Sequence, residues 1–245
     1  MKGVIARLAP RSRVIDLVHD LPPGDIRSGA FALAAGYRFF PKGAVHVAVV
    51  DPGVGTDRKA IAVRTADYFF VGPDNGVLSF ALRKERIKSI HALENKAYFL
   101  QPLSQTFHGR DIFAPVAARL SRGLAIQRLG PAVHDFVRLP WPEPRHRQGR
   151  IEGEVVYIDR FGNAITSIEA AVLGDLSKSP HMVVVDRNRP FPVAAAYQSV
   201  PQGKPVAVLG SSNFLEIAIN SGSAEKILGL KIGSQITLRP LKQKS

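Results

Sequence analysis

The sequence predicts an α/β protein, with a larger, mostly parallel α/β domain over residues 1–138 and a smaller all-β domain over residues 151–245. The apolar run at 45–50 is typical of a strand that is buried on both faces of a parallel sheet. Strand-like and helix-like segments alternate up to about residue 135, which is the pattern of an α/β layer fold. After residue 151, short strand-like segments separated by turn residues indicate a β domain.

The elements of the first domain follow from apolar patterns and from the residues that interrupt them. Asp25 is a suitable N-cap for the first long helix, and the Pro41-Lys42-Gly43 sequence ends that helix. The predicted strands cover residues 13–19, 45–50, 60–64, 68–71 and 89–92. The predicted helices cover residues 26–40, 77–84 and 111–120.

The second domain follows a segment at 139–150 that contains three prolines and several arginines, and that we interpret as a linker. Beyond it, the predicted strands cover residues 151–158, 164–168, 182–186, 205–209 and 214–219, and one helix covers 224–228.

The composition limits the chemistry and the partners of the protein. The chain has 245 residues and no cysteine, which excludes disulfides, thiolate metal sites and a cysteine nucleophile. Its net charge of +13 makes a nucleic-acid partner worth testing. However, the densest basic runs, at 144–150 and 242–244, lack interleaved aromatic residues that would stack on bases. We therefore interpret them as a solvated linker and a frayed C-terminus, and we expect no nucleic-acid partner.

No targeting or membrane segment is visible in the sequence. No apolar stretch approaches the roughly 20 residues of a membrane-spanning helix. The N-terminal segment meets a charge at Arg7 before any apolar signal region develops. The sequence therefore predicts a cytoplasmic protein without a membrane partner.

A carboxylate directly follows the central apolar run. Asp51 comes right after the predicted strand, and Pro52, Gly53 and Gly55 then require a tight turn. Because open α/β sheets bind ligands at the carboxyl ends of their strands, Asp51 is a candidate catalytic residue. Arg58, seven residues later, can fold back toward it. The same residues also fit an aspartate that only caps its own turn.

Four turns hold more glycine, asparagine, aspartate and histidine than folding requires: 51–55 with Arg58, 72–76, 107–111 and 159–163. An aspartate, an arginine and a histidine from the first and third turns, Asp51, Arg58 and His108, can hold and polarise a water molecule if they converge. His108 also fits a polar residue that is satisfied at the start of the following helix.

Two loops of the second domain carry candidate recognition residues. Phe161 can stack on a base between the polar groups of Asp159 and Asn163, although a plain β-turn with a left-handed Asn163 fits the same residues. The loop at 210–213, followed by Glu216, can offer backbone amides to a carboxylate or to an adenine edge, or can be a simple turn.

The usual nucleotide, zinc and serine-hydrolase motifs are missing from the sequence. It contains no P-loop, no dinucleotide-binding glycine motif, no H-E-x-x-H and no G-x-S-x-G elbow. The seven histidines show no zinc spacing, so no metal site is predicted.

Several long motifs in a fixed order resemble the S-adenosyl-L-methionine hydroxide adenosyltransferases, which are relatives of the fluorinating and chlorinating enzymes. The motifs are MKGVI at 1–5, the Leu-Pro-Pro turn at 21–23, GAFALAAGYRFFPKGAVHVAVVDPGVG at 29–55, GPDNGVLS at 72–79, TFHGRDIFAPVAARL at 106–120, IDRFGNAITSI at 158–168 and GSSNFLEIAINSGSAEKILGL at 210–230. The resemblance extends from Met1 to about Leu238.

The resemblance implies an α/β N-terminal domain, a β-barrel-like C-terminal domain and a homotrimer with sites at subunit interfaces. It implies attack of water or hydroxide on the ribose C5′ of S-adenosylmethionine, which yields adenosine and L-methionine without a cofactor. Asp51, Arg58 and His108 match the water-activating set of the family. The implied substrate-binding positions are Asn75, Asp159, Phe161, Asn163, Ser211, Ser212 and Glu216, with Asp159 on the amino group, Phe161 and Asn163 on the adenine, and Ser211 and Ser212 on the carboxylate of methionine.

Family members usually carry a further strand before the M-K-G-V segment, with a carboxylate that holds the ribose hydroxyls. We therefore expect that the natural start lies upstream of Met1 or that this form is impaired.

Two other functions remain open from the sequence: a non-catalytic S-adenosylmethionine- or adenosine-binding protein, and a halide-using adenosyl transferase.

Overall fold

A computed structural model describes residues 1–173, 181–185 and 190–240. The chain forms two compact units, Met1–Leu139 and Pro140–Ser245. The basic tail at 242–244 and the end of the strand predicted at 182–186 lie outside the described residues.

The first unit combines a four-stranded sheet with short helices. Its strands are β1 (Val45–Val47), β2 (Ala60–Thr65), β3 (Phe69–Pro73) and β4 (Ile87–Ala92). Its α-helices are α1 (Lys2–Leu8), α2 (Ile26–Gly36), α3 (Ser79–Leu82) and α4 (Ala114–Leu120). A 3₁₀ turn, Tyr37–Phe39, continues α2, so the predicted helix at 26–40 has an α-helical body and a tighter end. Asp25 caps α2 as predicted, because its carboxylate accepts a hydrogen bond from the Ser28 amide at 2.9 Å.

The sheet of the first unit is mixed, with the strand order β1-β3-β2-β4. β1 pairs with β3 in parallel, whereas β3 with β2 and β2 with β4 are antiparallel. The α/β fold is therefore confirmed, but the prediction of a mostly parallel sheet is wrong in this respect. The physical reason is the short turn between β2 and β3, which joins antiparallel neighbours and cannot form a crossover.

Side chains that alternate along the strands build a core on each face of the sheet. Val63 and Phe70 belong to a cluster that includes Leu33 of α2. Ala62 and Val71 belong to another cluster, which contains Phe113, Val116 and Leu120 beside and within α4. The sheet is thus covered on both faces, and the carboxyl end of β1 is held between these two layers.

Residues 13–19 do not form the predicted strand, and in the described structure this segment has no regular secondary structure. Ile15 is 56% exposed, and Val14, Leu17 and Val18 are also exposed. This segment and β1 line a cavity of about 870 Å³, and the segment belongs to neither described sheet. An apolar segment needs a hydrogen-bonding neighbour as well as the right pattern to become a strand. β1 itself ends at Val47, earlier than predicted.

The described residues of the second unit form a sheet of eight strands. These are β5 (Arg145–Arg147), β6 (Arg150–Ile158), β7 (Ala164–Glu169), β8 (His181–Val185), β9 (Phe191–Pro192), β10 (Pro205–Leu209), β11 (Phe214–Ile219) and β12 (Gln235–Pro240). Two short helices, α5 (Ala170–Leu173) and α6 (Ala224–Leu228), accompany them. The order is β10-β11-β7-β6-β12-β8-β9, with β5 beside β6.

The two ends of this sheet approach each other. Val193, directly after β9, forms a bridge with Ala207 of β10, and the Ala194 amide donates to the Ala207 carbonyl at 2.8 Å. This contact makes the sheet nearly closed, which confirms the barrel-like fold. Apolar side chains fill its interior, including Val155, Ile168, Leu215 and Ile236.

Three strands of the second unit were not predicted. β5 lies within the segment interpreted as a linker, where Arg145–Arg147 pair with the start of β6. β9 has only two residues, too few for any pattern to be visible. β12 has two buried apolar residues, Ile236 and Leu238, and its place between β6 and β8 depends on tertiary pairing.

Within the described residues, no helix is long and apolar enough to cross a membrane. The same part of the chain contains no group of three or more histidine, aspartate or glutamate side chains arranged to hold a metal ion.

Candidate active site

The turn that follows β1 presents Asp51 at the end of the strand region. Backbone bonds from the Val54 amide to the Asp51 carbonyl and from the Thr56 amide to the Gly53 carbonyl close this turn. Asn75, from the neighbouring turn, donates its side-chain amide to the Val50 carbonyl at 2.8 Å. These contacts fix the backbone on both sides of Asp51, so the direction of its carboxylate is set by the fold.

Arg58 folds back onto Asp51, as the spacing allows. Its Nε donates to Asp51 Oδ1 at 2.9 Å, and its Nη2 donates to Oδ2, which makes a two-point ion pair. The Asp51 side chain is only 5% exposed and that of Arg58 only 11%. The guanidinium also lies over the Phe113 ring, 5.5 Å from its centre. Two carboxylate contacts and an aromatic face leave Arg58 little freedom to move.

His108 completes the cluster. Arg58 Nη2 and His108 Nδ1 are 2.7 Å apart. Because a guanidinium can only donate, Nδ1 must accept, and the neutral ring therefore carries its proton on Nε2. Burial and the Arg58 charge lower the pKa of His108, against the opposing effect of Asp51 and Asp111. His108 is therefore neutral at neutral pH, with Nε2–H as a hydrogen-bond donor.

The backbone beside His108 has an unusual form. Gly109–Phe113 make a π-helical turn immediately after His108 and before α4. Such turns are rare and occur often at functional sites. The prediction of an α-helix over 111–120 is therefore correct only from Ala114 onward. Convergence of His108 with Asp51 and Arg58, which spacing alone leaves undecided, is present in the structure.

In the second unit, Asp159 organises its own turn. Its Oδ1 accepts from the Phe161 amide at 2.8 Å and from the Asn163 amide at 2.9 Å. Its Oδ2 accepts from the Asn163 side chain at 3.1 Å. Gly162 takes the left-handed conformation with φ +81°, whereas the turn interpretation assigned that conformation to Asn163. Glycine takes it at the lowest cost because it has no Cβ.

The side chain of Phe161 is 72% exposed at the tip of this turn. An exposed aromatic ring held beside polar groups is suited to stacking on a flat ligand. Ser211 and Ser212 lie in the turn between β10 and β11, which is closed by a bond from the Asn213 amide to the Gly210 carbonyl.

Glu216 of β11 is buried, and its Oε2 lies next to Gly210 at the start of this turn, 2.5 Å from where a Cβ would be. Tyr197 donates its hydroxyl to Glu216 Oε1 at 2.7 Å. Burial raises the pKa of Glu216, the hydrogen bond from Tyr197 opposes this shift, and the charge of Asp159 adds to it. Burial and the bond to Glu216 also raise the pKa of Tyr197. Sequence reasoning missed Tyr197, because no motif links it to a partner 19 residues away.

Comparison with known families gives the geometry a context. Residues 1–130 match the profile of the SAM hydroxide adenosyltransferase N-terminal domain, and residues 153–237 match that of the corresponding C-terminal domain. The chain belongs to the SAM hydroxide adenosyltransferase family. This confirms the resemblance carried by the sequence motifs.

Curated relatives of this family member span most of its length. A protein from Thermus thermophilus named (R)-S-adenosyl-L-methionine hydrolase is 43% identical, over 97% of this chain and 92% of the relative. One of the same name from Salinispora arenicola is 41% identical, over 96% and 89% of the two chains. A fluorinase from an Actinoplanes species is more distant, at 24% identity over 97% of this chain and 91% of the relative.

Solved structures of similar proteins have the same fold. An uncharacterised conserved protein from Thermotoga maritima superposes with a TM-score of 0.90 at 38% identity, over 97% of this family member and 93% of that chain. A conserved hypothetical protein from Thermus thermophilus gives a TM-score of 0.77 at 40% identity, over 98% and 92% of the two chains.

Proposed function

We propose that this protein hydrolyses S-adenosyl-L-methionine to adenosine and L-methionine. The observation that carries the proposal is the contact of Arg58 with both Asp51 and His108 at the end of the β1 region. The proteins named (R)-S-adenosyl-L-methionine hydrolase, at 41–43% identity over nearly the whole chain, support the same reaction.

The proposed step is an in-line displacement. The water oxygen forms a bond to C5′ of the ribose while the C5′–S bond breaks, and the electron pair of that bond goes to sulfur. The sulfonium becomes the neutral thioether of methionine, so the leaving group needs no acid. The water loses one proton. Asp51 accepts this proton along its hydrogen bond to the water and then passes it to solvent.

Each residue of the cluster has a part in aiming this water. The His108 Nε2–H donates to the water oxygen, and the Asp51 carboxylate accepts one of its protons. Arg58 fixes the position of Asp51 relative to His108, because its guanidinium contacts both side chains. Removing most of the freedom of the nucleophile supplies much of the catalysis when the leaving group is already good.

The substrate is held by the remaining candidate residues in this proposal. Asp159 and Glu216 bind the α-amino group, and the serine turn with Ser211 and Ser212 binds the carboxylate. Phe161 stacks on the adenine while Asn163 contacts its polar edge. Asn75 lies near the ribose end, because its side chain is bonded to Val50 next to Asp51.

The decisive experiment is product analysis in ¹⁸O-labelled water. The purified protein is incubated with S-adenosylmethionine, with and without chloride. The products are separated by chromatography, and their masses are determined by mass spectrometry. We expect adenosine that carries ¹⁸O at the 5′ position, together with L-methionine, in both media. The His108→Ala variant is the matched control for contaminating activity.

The other outcomes would contradict the proposal in different ways. A 5′-chloro-5′-deoxyadenosine product would indicate a halide-using transferase. Saturable binding of S-adenosylmethionine without any product would indicate a non-catalytic binding protein. Unlabelled adenosine would show that the bond to C5′ is not made by solvent water.

We also propose that the active form is a cytoplasmic homotrimer that needs no cofactor. Because the sulfonium of the substrate already provides a good leaving group, the neutral thioether, the reaction needs no cofactor to carry electrons or a chemical group. Light scattering should give three times the 26.6 kDa of one chain. Dialysis against EDTA should leave the rate of hydrolysis unchanged. An active monomer would contradict the proposed trimer, and a loss of rate after dialysis would contradict the absence of a cofactor.

A further inference from the structure

The buried carboxylate next to the His108 loop is not used by the proposed reaction. Asp111 is 1% exposed and lies within the π-helical turn. Its Oδ1 accepts from Arg110 Nε at 2.6 Å, and its Oδ2 accepts from Arg110 Nη2 at 2.9 Å. The Ser104 amide also donates to Oδ2, at 2.9 Å. A buried charge with this many donors is costly to remove from its partners and therefore defines a rigid point.

These bonds close the loop that carries His108. The Ser104 bond ties the start of the loop to its end, seven residues later. Within the loop, the amides of Arg110 and Asp111 both donate to the Phe107 carbonyl, at 3.0 and 3.1 Å. The Arg110 guanidinium also covers the Phe107 ring at 4.9 Å. Phe107, the residue directly before His108, is thus linked to Asp111 through its carbonyl and, through its ring, to the Arg110 partner of Asp111.

The same loop rests on the turn that carries Asp51. Gly55 has φ +80°, and a Cβ added there would lie 2.7 Å from the Gln105 carbonyl oxygen. The backbone of the His108 loop therefore packs directly against the turn after Asp51. A displacement of the loop would change the distance between His108 and Arg58.

We propose that Asp111 is a positioning residue that sets the placement of the His108 ring against Arg58. Asp111 does not touch the reacting atoms; it acts through the loop and through its charge. This inference rests on the proposed function, because it assigns Asp111 to the same water-aiming cluster. It also makes a claim about His108 that does not depend on turnover.

The charge of Asp111 affects a measurable quantity, the pKa of His108. The negative charges of Asp111 and Asp51 raise the pKa of His108, while burial and Arg58 lower it. The charged groups that act on the imidazole are Arg58, which contacts Nδ1, and Asp51 and Asp111, which act through their charge. Removal of the Asp111 charge must move the pKa of His108 further down.

The test compares Asp111→Asn with Arg110→Gln and with a control, Asp135→Asn. Asp135 is also paired with a nearby arginine, Arg138, but its side chain is 76% exposed. For Asp111→Asn we expect kcat to fall by about 10- to 100-fold with little change in KM, because a small misplacement of a catalytic group has effects of this size. The acid limb of the kcat profile should move to lower pH. The control should match the wild type in both respects.

The Arg110→Gln variant separates the effect of the Asp111 charge from the effect of the hydrogen bonds that hold Asp111 in place. Its side chain is partly exposed, so the variant should fold, and it removes two donors to Asp111 but keeps the carboxylate. We expect a lower kcat without a downward shift of the acid limb. Identical pH profiles for the two variants, or a wild-type kcat for Asp111→Asn, would overturn the proposal.

An NMR titration of the His108 ring protons keeps the inference testable without turnover. A downward shift of the His108 midpoint in folded Asp111→Asn supports the role even if the wild type forms no adenosine, in which case only the proposed reaction fails. An unchanged midpoint in a protein that hydrolyses S-adenosylmethionine contradicts the inference alone. Should Asp111→Asn not fold, a His108 midpoint in Arg110→Gln that moves below the wild-type value contradicts the inference.

Discussion

Asp51 and Asp159 are the same residue type in the same kind of turn, yet they use their carboxylates differently. Asp159 accepts hydrogen bonds from the amides of its own turn and from Asn163 four residues later. Asp51 accepts from the Arg58 guanidinium, which in turn contacts His108, fifty residues further along the chain. One carboxylate stabilises a local turn, and the other joins two turns that are distant in sequence.

This difference indicates what each turn can do. A carboxylate that is satisfied by its own backbone holds the shape of a loop, and such a loop can present Phe161 to a ligand. A carboxylate that orients a guanidinium and, through it, an imidazole can control the direction of a small reactant. We therefore expect substitutions in the first turn to change mainly kcat and those in the second to change mainly KM.

The largest expected effect is that of His108→Ala. Loss of the imidazole removes the proposed donor to the water, so kcat should fall by about 10²- to 10³-fold while KM changes little. Steady-state kinetics with S-adenosylmethionine measure both quantities. His134→Ala, at an exposed histidine of the same unit, is the control. Equal losses in kcat and in binding would contradict a water-aiming role.

A matched pair of substitutions, Asp51→Asn and Asp159→Asn, tests the comparison directly. Asp51→Asn weakens the charged fork with Arg58, and we expect a decrease in kcat of about 10- to 100-fold. Asp159→Asn keeps an oxygen that accepts from the amides of Phe161 and Asn163. It should raise KM by about 10-fold at nearly constant kcat, since a charged contact to the substrate amine is lost. The reverse pattern would refute the assignment of roles.

The smallest expected effects are those of Gly55→Ala and Gly162→Ala. Both glycines have a φ near +80°, so the left-handed backbone alone makes alanine cost about 1–2 kcal/mol of folding free energy at either position. At Gly55 the new Cβ meets the Gln105 carbonyl of the His108 loop, whereas at Gly162 it meets Ser223, the N-cap of α6. Urea unfolding should therefore show similar losses of stability.

Kinetics should distinguish the two glycine variants. Gly55→Ala moves the loop of His108 and should lower kcat by a few-fold or more. Gly162→Ala distorts the turn of Phe161 and should raise KM instead. If both variants change the same kinetic parameter, it is incorrect that the first turn orients the water and the second turn binds the substrate.

Much of the fold was predictable from local pattern. The alternation that defines β2, β3 and β4 comes from side chains that pack on opposite faces of one sheet, and the N-cap at Asp25 satisfies amides within its own helix. The family motifs also identified Asp51, Arg58 and His108 as candidates. These features depend on residues that are close in sequence or on a motif order that the chain itself displays.

Other features could not be predicted because their causes lie in distant parts of the chain. The segment at 13–19 has the composition of a strand, but an extended segment becomes a strand only where a neighbour accepts its backbone bonds. β9 and β12 are defined by their partners rather than by their own patterns. The bond between Tyr197 and Glu216 depends on how β11 packs in the second unit.

The sequence by itself determined the division into an α/β part and a β part, the turns after the main strands and the residue types available for catalysis. It left open whether Asp51 caps its own turn or joins a cluster. Only the tertiary structure decided this, because the contact between Arg58 and His108 forms when two turns are brought together by the packing of β1 and α4. Local spacing specifies what a side chain can do, whereas packing decides which distant group it meets.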